Sequence, residues 1–368
     1  MASVSFQAIE GGTLEGGGQL LRNSVALSTL LCKPIEVHNI RAGRHQPGLK
    51  AQHAAGIQLV TQLSNATTEG AGKGSKSLKF SPGHITPGSY TADPGTAGST
   101  TLLLQISLPC LLFSDQPSSL TLRGGTNASN APQIDYTLRV LLPFLSKRFG
   151  LDLDVRIGRR GYFPKGGGEV QVTIPESQGK PLPALTLLER GKVTSVKGYA
   201  FVAGLPATLA NEMQTSAQDL LRGASEVGDA PVEVTSVRED ARSAIGSGSG
   251  IVLWAETANG CIIAGSALGQ KGKSFGVVAK EAVDELISNL AHGGCVDEYL
   301  QDQMIVFMAL AEGKSSVACG PLTLHTKTAI WVAEQLTEAK FEIEECSETR
   351  NVIHCAGIGF MPELPKGL

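Results

Sequence analysis

The chain has 368 residues, of which 42% are hydrophobic and 18% charged, and its 44 glycines point to many tight turns. This composition excludes a disordered or collagen-like chain and fits one large globular domain or two ordinary ones. The formal net charge of −3 excludes bulk electrostatic attraction to nucleic acid but allows a local basic pocket. With no signal peptide, no membrane-spanning apolar run and seven cysteines without a CxxC pair, we expect an intracellular protein with no membrane partner.

The first predicted elements form one unit of strands and helices. Apolar residues recur at helical spacing over 19–31, directly after the glycines of "LEGGGQLLRNSVAL" (14–27). Such glycines before a helix either cradle a phosphate or make a tight turn, and the stretch by itself leaves both interpretations open. The unit continues with a strand, a helix and a second strand, at 34–40, 47–65 and 77–80.

Two later stretches repeat a similar order of elements. The first predicts a buried helix, a strand ending in glycines, a second helix and two strands, at 99–113, 119–125, 131–150, 151–158 and 168–174. The second predicts two helices joined by a turn and then two strands, at 297–312, 327–338, 340–346 and 351–357. Each unit is expected to form a small sheet backed by two helices, although the identity between units is too weak to prove a repeat.

The composition shifts between residues 186 and 285. This region predicts two strands, two helices and a hairpin that turns at Asn259-Gly260, with the hairpin at 250–265. The stretch "AIGSGSG" (244–250) is expected to be a flexible loop, and none of the chemically suggestive clusters falls in this region. We predict an inserted α/β domain at 186–285, between core segments 1–185 and 286–368.

The densest polar cluster is "RAGRHQPGLKAQH" (41–53). Arg41 and Arg44 flank a glycine, and Gln52 and His53 lie at a predicted helix start. Guanidinium pairs and helix amino termini both suit phosphate recognition. A solvated basic turn explains the same residues about equally well.

Two other stretches join glycines to polar or aromatic residues. In "GGTNASNAP" (124–132), Asn127 either caps a turn or contacts a ligand, and Pro132 fits a helix start. The stretch "RRGYFPKGGGEV" (159–170) would let backbone approach a ligand closely while an aromatic ring stacks on a base. A glycine hairpin at a sheet edge explains it nearly as well.

Two clusters near the carboxyl terminus could carry chemistry. His325 lies at a loop-to-helix junction in "PLTLHTKTAI" (321–330), among threonines able to fix its tautomer. A neutral imidazole is a competent nucleophile toward phosphorus, although most lone histidines are structural. In "VDEYLQDQ" (296–303), Tyr299 and Asp302 share one side of a helix, and carboxylates in the first turn also complement the helix dipole.

Several familiar motifs are absent from the sequence, namely GxxxxGK[ST], a strand-led GxGxxG, GxSxG and HExxH. An enzyme that uses ATP would therefore need another architecture.

Taken together, these stretches resemble the RNA 3'-terminal phosphate cyclase family. The resemblance runs in order through "EGGGQLLR", "RAGRHQPGLKAQH", "GGTNASNAPQIDY", "RGYFPKGGGEV", "VDEYLQDQ" and "LHTKTAI", and the stretch from Arg160 to Gly168 resembles the family's signature. It implies an α/β (α+β) fold with a core of three repeated units, each a four-stranded sheet with two helices. It also implies a smaller thioredoxin-like domain inserted before the third unit.

The resemblance implies an ATP-dependent, ligase-class reaction by nucleotidyl transfer to RNA 3'-phosphate ends. A histidine attacks the α-phosphorus of ATP, giving histidyl-AMP and pyrophosphate, and AMP then passes to the RNA 3'-phosphate to form RNA-ppA. The neighbouring 2'-hydroxyl closes a 2',3'-cyclic phosphate and releases AMP. Adenylation supplies the leaving group that a phosphomonoester lacks.

The resemblance also assigns roles to residues. It implies that His325 is the nucleophile and that Glu15 helps hold a divalent cation, Mg²⁺ or Mn²⁺. Arg22, Arg41 and Arg44 match residues that face phosphates, and Pro132 and Tyr299 match the pair that encloses adenine. The remaining polar contacts of the nucleotide and the active site would be Gln52, Gln105, Asp302 and Gln303.

An alternative hypothesis is a non-catalytic, cyclase-like protein that binds RNA in ribosome assembly, because a nucleolar branch of the family lacks the catalytic histidine. The presence of His325 with Glu15 and Asp302 argues against it. A small-molecule transferase is a third possibility, against which Tyr299 and Pro132 weigh. The sequence leaves open the RNA processed, the choice between monomer and homodimer, and the choice between nucleus and cytoplasm.

Overall fold

In the computed structural model, which describes residues 5–362, the amino-terminal unit has one four-stranded sheet and two helices. Its elements are β1 (Gln7–Glu10), α1 (Gly18–Leu30), β2 (Ile35–His38), α2 (Ala51–Ser64), β3 (Thr67–Glu69) and β4 (Leu78–Ser81). The strand order is β1-β2-β4-β3, with β1 and β2 parallel and the other pairs antiparallel. Ile35 and Val37 alternate with more exposed residues along β2, as a sheet with one buried face requires.

The second unit follows in the chain, with helices before and after its second strand. Its elements are β5 (Ser89–Ala92), α3 (Thr100–Leu111), β6 (Ser118–Gly124), α4 (Ile134–Tyr136), a π-helical segment at 137–141, α5 (Leu142–Phe149), β7 (Asp154–Gly161) and β8 (Gly168–Ile174). As predicted, α3 is buried, because eight of its twelve residues are apolar, and Ser99 caps it. The π-helical segment interrupts the single helix predicted at 131–150, which begins only at Ile134.

The next elements build a third group. They are β9 (Thr186–Leu187), β10 (Val193–Ala203), α6 (Ala207–Arg222), β11 (Val232–Arg238), β12 (Ala244–Ile245), β13 (Gly248–Thr257), β14 (Ile262–Leu268) and α7 (Phe275–Ala291). Strands β11, β10, β13 and β14 form a four-stranded sheet in that order. The predicted hairpin is confirmed, with Gly260 at φ 74° in the turn between β13 and β14.

The two faces of this sheet meet different partners. Along β13, Val252 and Trp254 belong to the main hydrophobic core, whereas Ile251 and Leu253 pack in a separate core with α6 and α7. Successive side chains of a strand point to opposite faces, so one sheet serves both cores. The sheet is therefore packed directly against the rest of the molecule.

The carboxyl-terminal unit completes the fold. Its elements are α8 (Glu298–Gln303), α9 (Ile305–Leu310), β15 (Glu312–Cys319), α10 (Leu324–Leu336), β16 (Lys340–Glu345) and β17 (Asn351–Ile358). Its sheet has the order β16-β17-β15-β9. The four sheets with their helices confirm the α+β class, and within residues 5–362 no helix is long and apolar enough to cross a membrane.

The flexible loop predicted at 244–250 is wrong. Ala244 and Ile245 form β12, which pairs in parallel with Arg160 and Gly161 and extends the second sheet to the order β12-β7-β8-β6-β5. A Cβ at Gly248 would overlap the ring of Tyr162. The glycines of this stretch therefore permit close packing, which sequence composition does not distinguish from flexibility.

Two helix predictions in the carboxyl-terminal unit are also corrected. The helix expected at 297–312 is divided into α8 and α9 at Met304, and the chain then enters β15, which was not predicted. The helix expected at 327–338 begins at Leu324 because Thr323 caps it. His325 thus lies inside the first turn of α10 rather than ahead of it.

Candidate active site

A cavity of about 510 Å³ lies where α1, α3, α8 and α10 meet the end of β14. Its volume is that of a typical small-molecule site. Six residues singled out in the sequence line it, namely Arg22, Gln105, Pro132, Tyr299, Asp302 and His325. Folding thus brings together side chains from motifs that are far apart along the chain.

The glycine loop before α1 places the carboxylate of Glu15 near α10. A Cβ at Gly17 would overlap the carboxylate of Glu15, and a Cβ at Gly18 would overlap the ring of His53. The backbone N–H of Glu15 donates to Thr328 Oγ1 over 3.1 Å, which ties the loop to α10. The glycines therefore make a turn whose backbone approaches functional side chains closely.

Glu15 pairs with Arg44 through only one of its carboxylate oxygens. Arg44 Nη2 donates to Glu15 Oε1 and also, over 3.1 Å, to the backbone oxygen of Glu15. Within residues 5–362, the buried Oε2 has no hydrogen-bond partner. A buried carboxylate oxygen without a donor is a candidate cation ligand.

The described part of the chain contains no group of three or more His, Cys, Asp or Glu side chains that could hold a metal ion by itself. Mg²⁺ needs only one or two protein carboxylates when phosphates and water supply its other ligands. Glu15 therefore fits a divalent cation that is shared with a phosphorylated substrate.

His325 is exposed at the amino-terminal turn of α10, where Thr323 Oγ1 accepts from the Thr326 N–H over 3.0 Å. Partial burial, with the nearby charges of Arg22 and Arg44, lowers the pKa of His325 below its usual value. The lowered pKa favours the neutral imidazole, which is its nucleophilic form.

Gln19 links His325 to Asp302, and the sequence analysis missed it. Its Nε2 donates to Asp302 Oδ2 over 2.8 Å, and its Oε1 lies 3.0 Å from His325 Nδ1. Gln19 is only 6% exposed. Its place in the stretch "EGGGQLLR" was an available signal, but it does not reveal which distant groups the side chain meets.

Asp302 and Arg22 line the same cavity, and their opposite charges interact. Burial raises the pKa of Asp302 to about 7, against the opposing charge of Arg22, and the charges of Asp297 and Glu298 add to the rise. Burial lowers the pKa of Arg22 to about 10, partly offset by Asp302. The site thus holds a buried cation next to an acid that titrates near neutrality.

Replacing Asp302 with asparagine should stabilise the free protein at pH 8. The folded pKa of about 7 exceeds the ordinary value of 3.8, so the protonated acid is favoured on folding and wild-type stability falls as pH rises through this window. We expect Asp302→Asn to raise the free energy of unfolding at pH 8 by about 1–3 kcal/mol and by much less at pH 4.5. Urea unfolding at both pH values measures this, and an equal effect at both would contradict the raised pKa.

Aromatic and amide side chains build another part of the cavity wall. The ring of Tyr299 packs edge-to-face on Tyr136, with ring centroids 5.6 Å apart, and Pro132 lies on the same cavity. Gln105 Nε2 donates to Gln303 Oε1 over 2.9 Å, and Gln303 Nε2 donates to the Tyr299 backbone oxygen over 2.8 Å. Gln303 itself lines a smaller adjoining cavity, so its amide orients Gln105 and α8.

The residues of this site lie within a stretch of sequence that matches a known protein family. The family described as RNA 3'-terminal phosphate cyclase matches residues 13–343. The chain belongs to this family.

Curated relatives of the cyclase family cover nearly the whole chain. The RNA 3'-terminal phosphate cyclase of Drosophila melanogaster is 38% identical over 368 residues, which is 99% of this chain and 100% of that protein. That of Thermococcus gammatolerans is 43% identical over 342 residues, with 93% and 95% covered. A probable RNA 3'-terminal phosphate cyclase of Dictyostelium discoideum is 40% identical over 365 residues, with 96% and 83% covered.

Arg41 and Gln52 do not line the main cavity of this cyclase-family chain. Arg41 Nη1 donates to the backbone oxygens of Gln46 and Gly48, over 2.7 and 2.8 Å, and so orders its own loop. Gln52 Oε1 accepts from the Ser99 N–H over 3.2 Å and shares a small adjoining cavity with Arg22. Both residues thus lie behind the side chains that face the cavity.

The predicted inserted region also lines the cavity, although none of the chemically suggestive clusters of the sequence falls in it. Gln270, Lys273, Glu281 and Glu285 border the cavity, and Lys273 Nζ lies 2.8 Å from Glu281 Oε1. Burial, with the charge of Glu298, raises the pKa of Glu285 to about 8. These residues form no recognisable motif, and only the packing of the sheet against the core brings them to the site.

The signature stretch from Arg160 to Gly168 has a structural role on its amino-terminal side. The ring of Tyr162 is 3% exposed and stacks on Phe201, so it is not free to stack on a base, whereas Phe163 is 80% exposed. Asn127 is buried too, and its Nδ2 donates to Asp135 Oδ2 over 3.0 Å. Of the alternatives that the sequence left open for Asn127, a structural contact is the one observed.

Proposed function

We propose that this chain is an ATP-dependent enzyme that converts an RNA 3'-terminal phosphate to a 2',3'-cyclic phosphodiester. The observation that carries the proposal is the position of the His325 imidazole, which lines the same cavity as the guanidinium of Arg22. The names of the relatives in this family supply the RNA 3'-phosphate substrate class.

In the proposed reaction, His325 Nε2 forms a bond to the α-phosphorus of ATP while the bond to the bridging oxygen of pyrophosphate breaks. A 3'-phosphate oxygen of the RNA then displaces the histidine, and AMP passes to the RNA as an RNA-ppA anhydride. Finally the 2'-hydroxyl attacks the 3'-phosphorus, AMP leaves with the electron pair, and the hydroxyl proton passes to solvent. Each step exchanges one bond to phosphorus, and the covalent intermediate divides a difficult transfer into easier ones.

Cationic side chains support the phosphate part of the proposal. Arg22 lines the cavity, and Arg44 lies close enough to lower the pKa of His325. Guanidinium groups stabilise the charge that develops on phosphoryl oxygens in the transition state. Arg41 acts in this proposal through the loop that carries Arg44, because its Nη1 is bound to backbone oxygens of that loop.

The nucleotide part of the proposal uses the aromatic and amide wall. Tyr299 and Pro132 would enclose adenine, and Gln105, Asp302 and Gln303 would contact or orient the nucleotide, with Gln52 behind Arg22. Glu15 would hold Mg²⁺ or Mn²⁺ through its unpaired Oε2, and such an ion would neutralise charge on the phosphates. The buried Oε2 is the observation that supports this assignment.

Incubation with α-³²P-labelled ATP and Mg²⁺ tests the proposal. We expect covalent labelling of the protein that is labile to acid and stable to alkali, as a phosphoramidate is. Adding an oligoribonucleotide with a 3'-phosphate should remove the label from the protein and yield an RNA whose terminal phosphate resists phosphatase. An oligonucleotide with a 3'-hydroxyl should leave the label on the protein. RNA binding without labelling would instead support the non-catalytic alternative.

A further inference from the structure

Gln19 lies at the second position of α1, between two side chains from different helices of the carboxyl-terminal unit. Asp302 on α8 receives its Nε2–H over 2.8 Å, and His325 Nδ1 on α10 lies 3.0 Å from its Oε1. The side chain is 6% exposed, so water does not compete freely for either contact. Asp302, Gln19 and His325 therefore form one chain of hydrogen bonds that is buried at Gln19 and ends at the cavity.

The direction of this chain is set at its Asp302 end. At pH 8, above the pKa of about 7 that burial gives Asp302, the carboxylate is mostly ionised and only accepts hydrogen bonds, so the amide must turn its Nε2–H₂ group toward Asp302. Its oxygen then faces His325, and a carbonyl oxygen only accepts. The proton of the neutral ring must consequently reside on Nδ1, which leaves a lone pair on Nε2.

The reversed amide would have the opposite effect. The oxygen of Gln19 would then face a carboxylate oxygen of Asp302, which is repulsive, and the amide N–H would donate to Nδ1. The ring proton would move to Nε2 and block the lone pair that attacks phosphorus. Within residues 5–362 the ring makes one hydrogen bond, the one at Nδ1, so this contact alone distinguishes the two tautomers.

We propose that Gln19 is a positioning residue that holds His325 in the Nδ1–H tautomer, with Asp302 setting the direction of the Gln19 amide. The inference rests on the proposed function, because only a nucleophilic His325 gains from a free Nε2 lone pair. It also gives Asp302 a role besides any contact with the nucleotide. Partners that orient a metal-binding histidine in this way change activity by about 10–100-fold when they are removed, and we expect an effect of similar size here.

The tautomer can be observed without any reaction. Long-range ¹H–¹⁵N correlation spectra of protein labelled with ¹⁵N-histidine, with His325 assigned from the spectrum of His325→Asn, should show the Nδ1–H form at pH 8. Gln19→Leu should move the ring toward the Nε2–H form that free histidine prefers. Gln19→Glu combined with Asp302→Asn should restore the Nδ1–H form, because the new amide can donate to one carboxylate oxygen while the other accepts from the ring.

The kinetic test measures the rate of adenylate transfer to the protein at saturating labelled ATP. We expect Gln19→Leu to reduce this rate by about 10–100-fold, with little change in the ATP concentration that gives half the maximal rate. Gln19→Glu should raise the pKa of His325 and so shift the acidic limb of the pH–rate profile upward. Gln58→Leu, at an exposed position on α2, is the matched control and should behave as wild type.

Three results would overturn the inference: the Nε2–H tautomer in the wild-type protein, an unchanged tautomer in Gln19→Leu, or a wild-type rate and pH profile in both Gln19 variants. If Gln19→Leu does not fold, the wild-type spectrum and Gln19→Glu still decide. Absence of labelling in the wild type contradicts the proposed function itself, and the tautomer in the spectrum then tests the hydrogen-bond chain separately.

Discussion

Replacing His325 with alanine should abolish covalent labelling by α-labelled ATP and with it cyclisation of 3'-phosphorylated RNA. The imidazole is the neutral nucleophile of the proposed reaction, exposed at the cavity and ordered by the first turn of α10. Without it no phosphoramidate forms, and loss of a covalent nucleophile commonly reduces turnover by about 10⁴-fold or more. Gel autoradiography of the protein and chromatography of the RNA product measure the two effects.

Two control proteins make this prediction specific. His84→Ala removes an exposed histidine in the loop before β5 and should label like wild type. His325→Asn keeps a polar side chain able to contact Gln19, yet it should be inactive because an amide is not a nucleophile toward phosphorus. Undiminished labelling of His325→Ala would show that another residue carries the adenylate.

Replacing Arg160 with methionine should cause a large loss of stability. Its guanidinium makes a bidentate pair with Asp135, over 2.7 and 2.8 Å, and its Nε lies 2.6 Å from Glu239 Oε1. The three side chains are between 7% and 14% exposed. Removing the cation leaves two buried carboxylates facing each other, which costs about 3–5 kcal/mol.

The contacts of Arg160 also indicate which part of the structure should lose stability first. Burial alone would lower the pKa of Arg160, but its hydrogen bonds with Asp135 and the charges of Asp135 and Glu239 raise it. Arg160 lies on β7, which pairs with β12, and Glu239 lies between β11 and β12. The ion pair between Arg160 and Glu239 therefore holds the segment before β12 against the second sheet. We therefore expect faster hydrogen exchange around Ala244 and Ile245, together with a lower urea midpoint.

Arg156→Met is the matched control for this substitution. Arg156 lies on the same strand and pairs with Asp154, but its side chain is 76% exposed. Exposed ion pairs contribute about 0–1 kcal/mol, so its loss should barely change the unfolding midpoint. Equal effects of the two substitutions would mean that the buried carboxylates are protonated or find other partners.

Local sequence patterns predicted much of the secondary structure. Helical spacing of apolar residues predicted α1 and α3, and the Asn259-Gly260 pair predicted the turn between β13 and β14, because these features depend on neighbours a few residues away. The same reasoning failed over 244–250, where glycines serve the packing of Tyr162. It also failed at Met304, because the apolar pattern predicted one continuous helix over 297–312. The structure has two short helices there, followed by β15.

The domain boundaries at 185/186 and 285/286, the three-fold repeat and the thioredoxin-like character of the insertion stay predictions. The strand pairing shows that β9 joins β15 in the last sheet and that β12 joins β7 in the second. Strand pairing across such distances depends on contacts that no local pattern encodes.

The sequence by itself determined the family, the α+β class and six of the side chains that line the cavity, because ordered motifs and hydrophobic periodicity are written along the chain. Tertiary structure decided how those side chains act. Only packing shows that Gln19 joins Asp302 to His325, that Arg41 orders its loop, and that Lys273 and Glu285 border the cavity. Protonation, tautomer and charge depend on burial and on partners hundreds of residues away, and these exist only once the chain has folded.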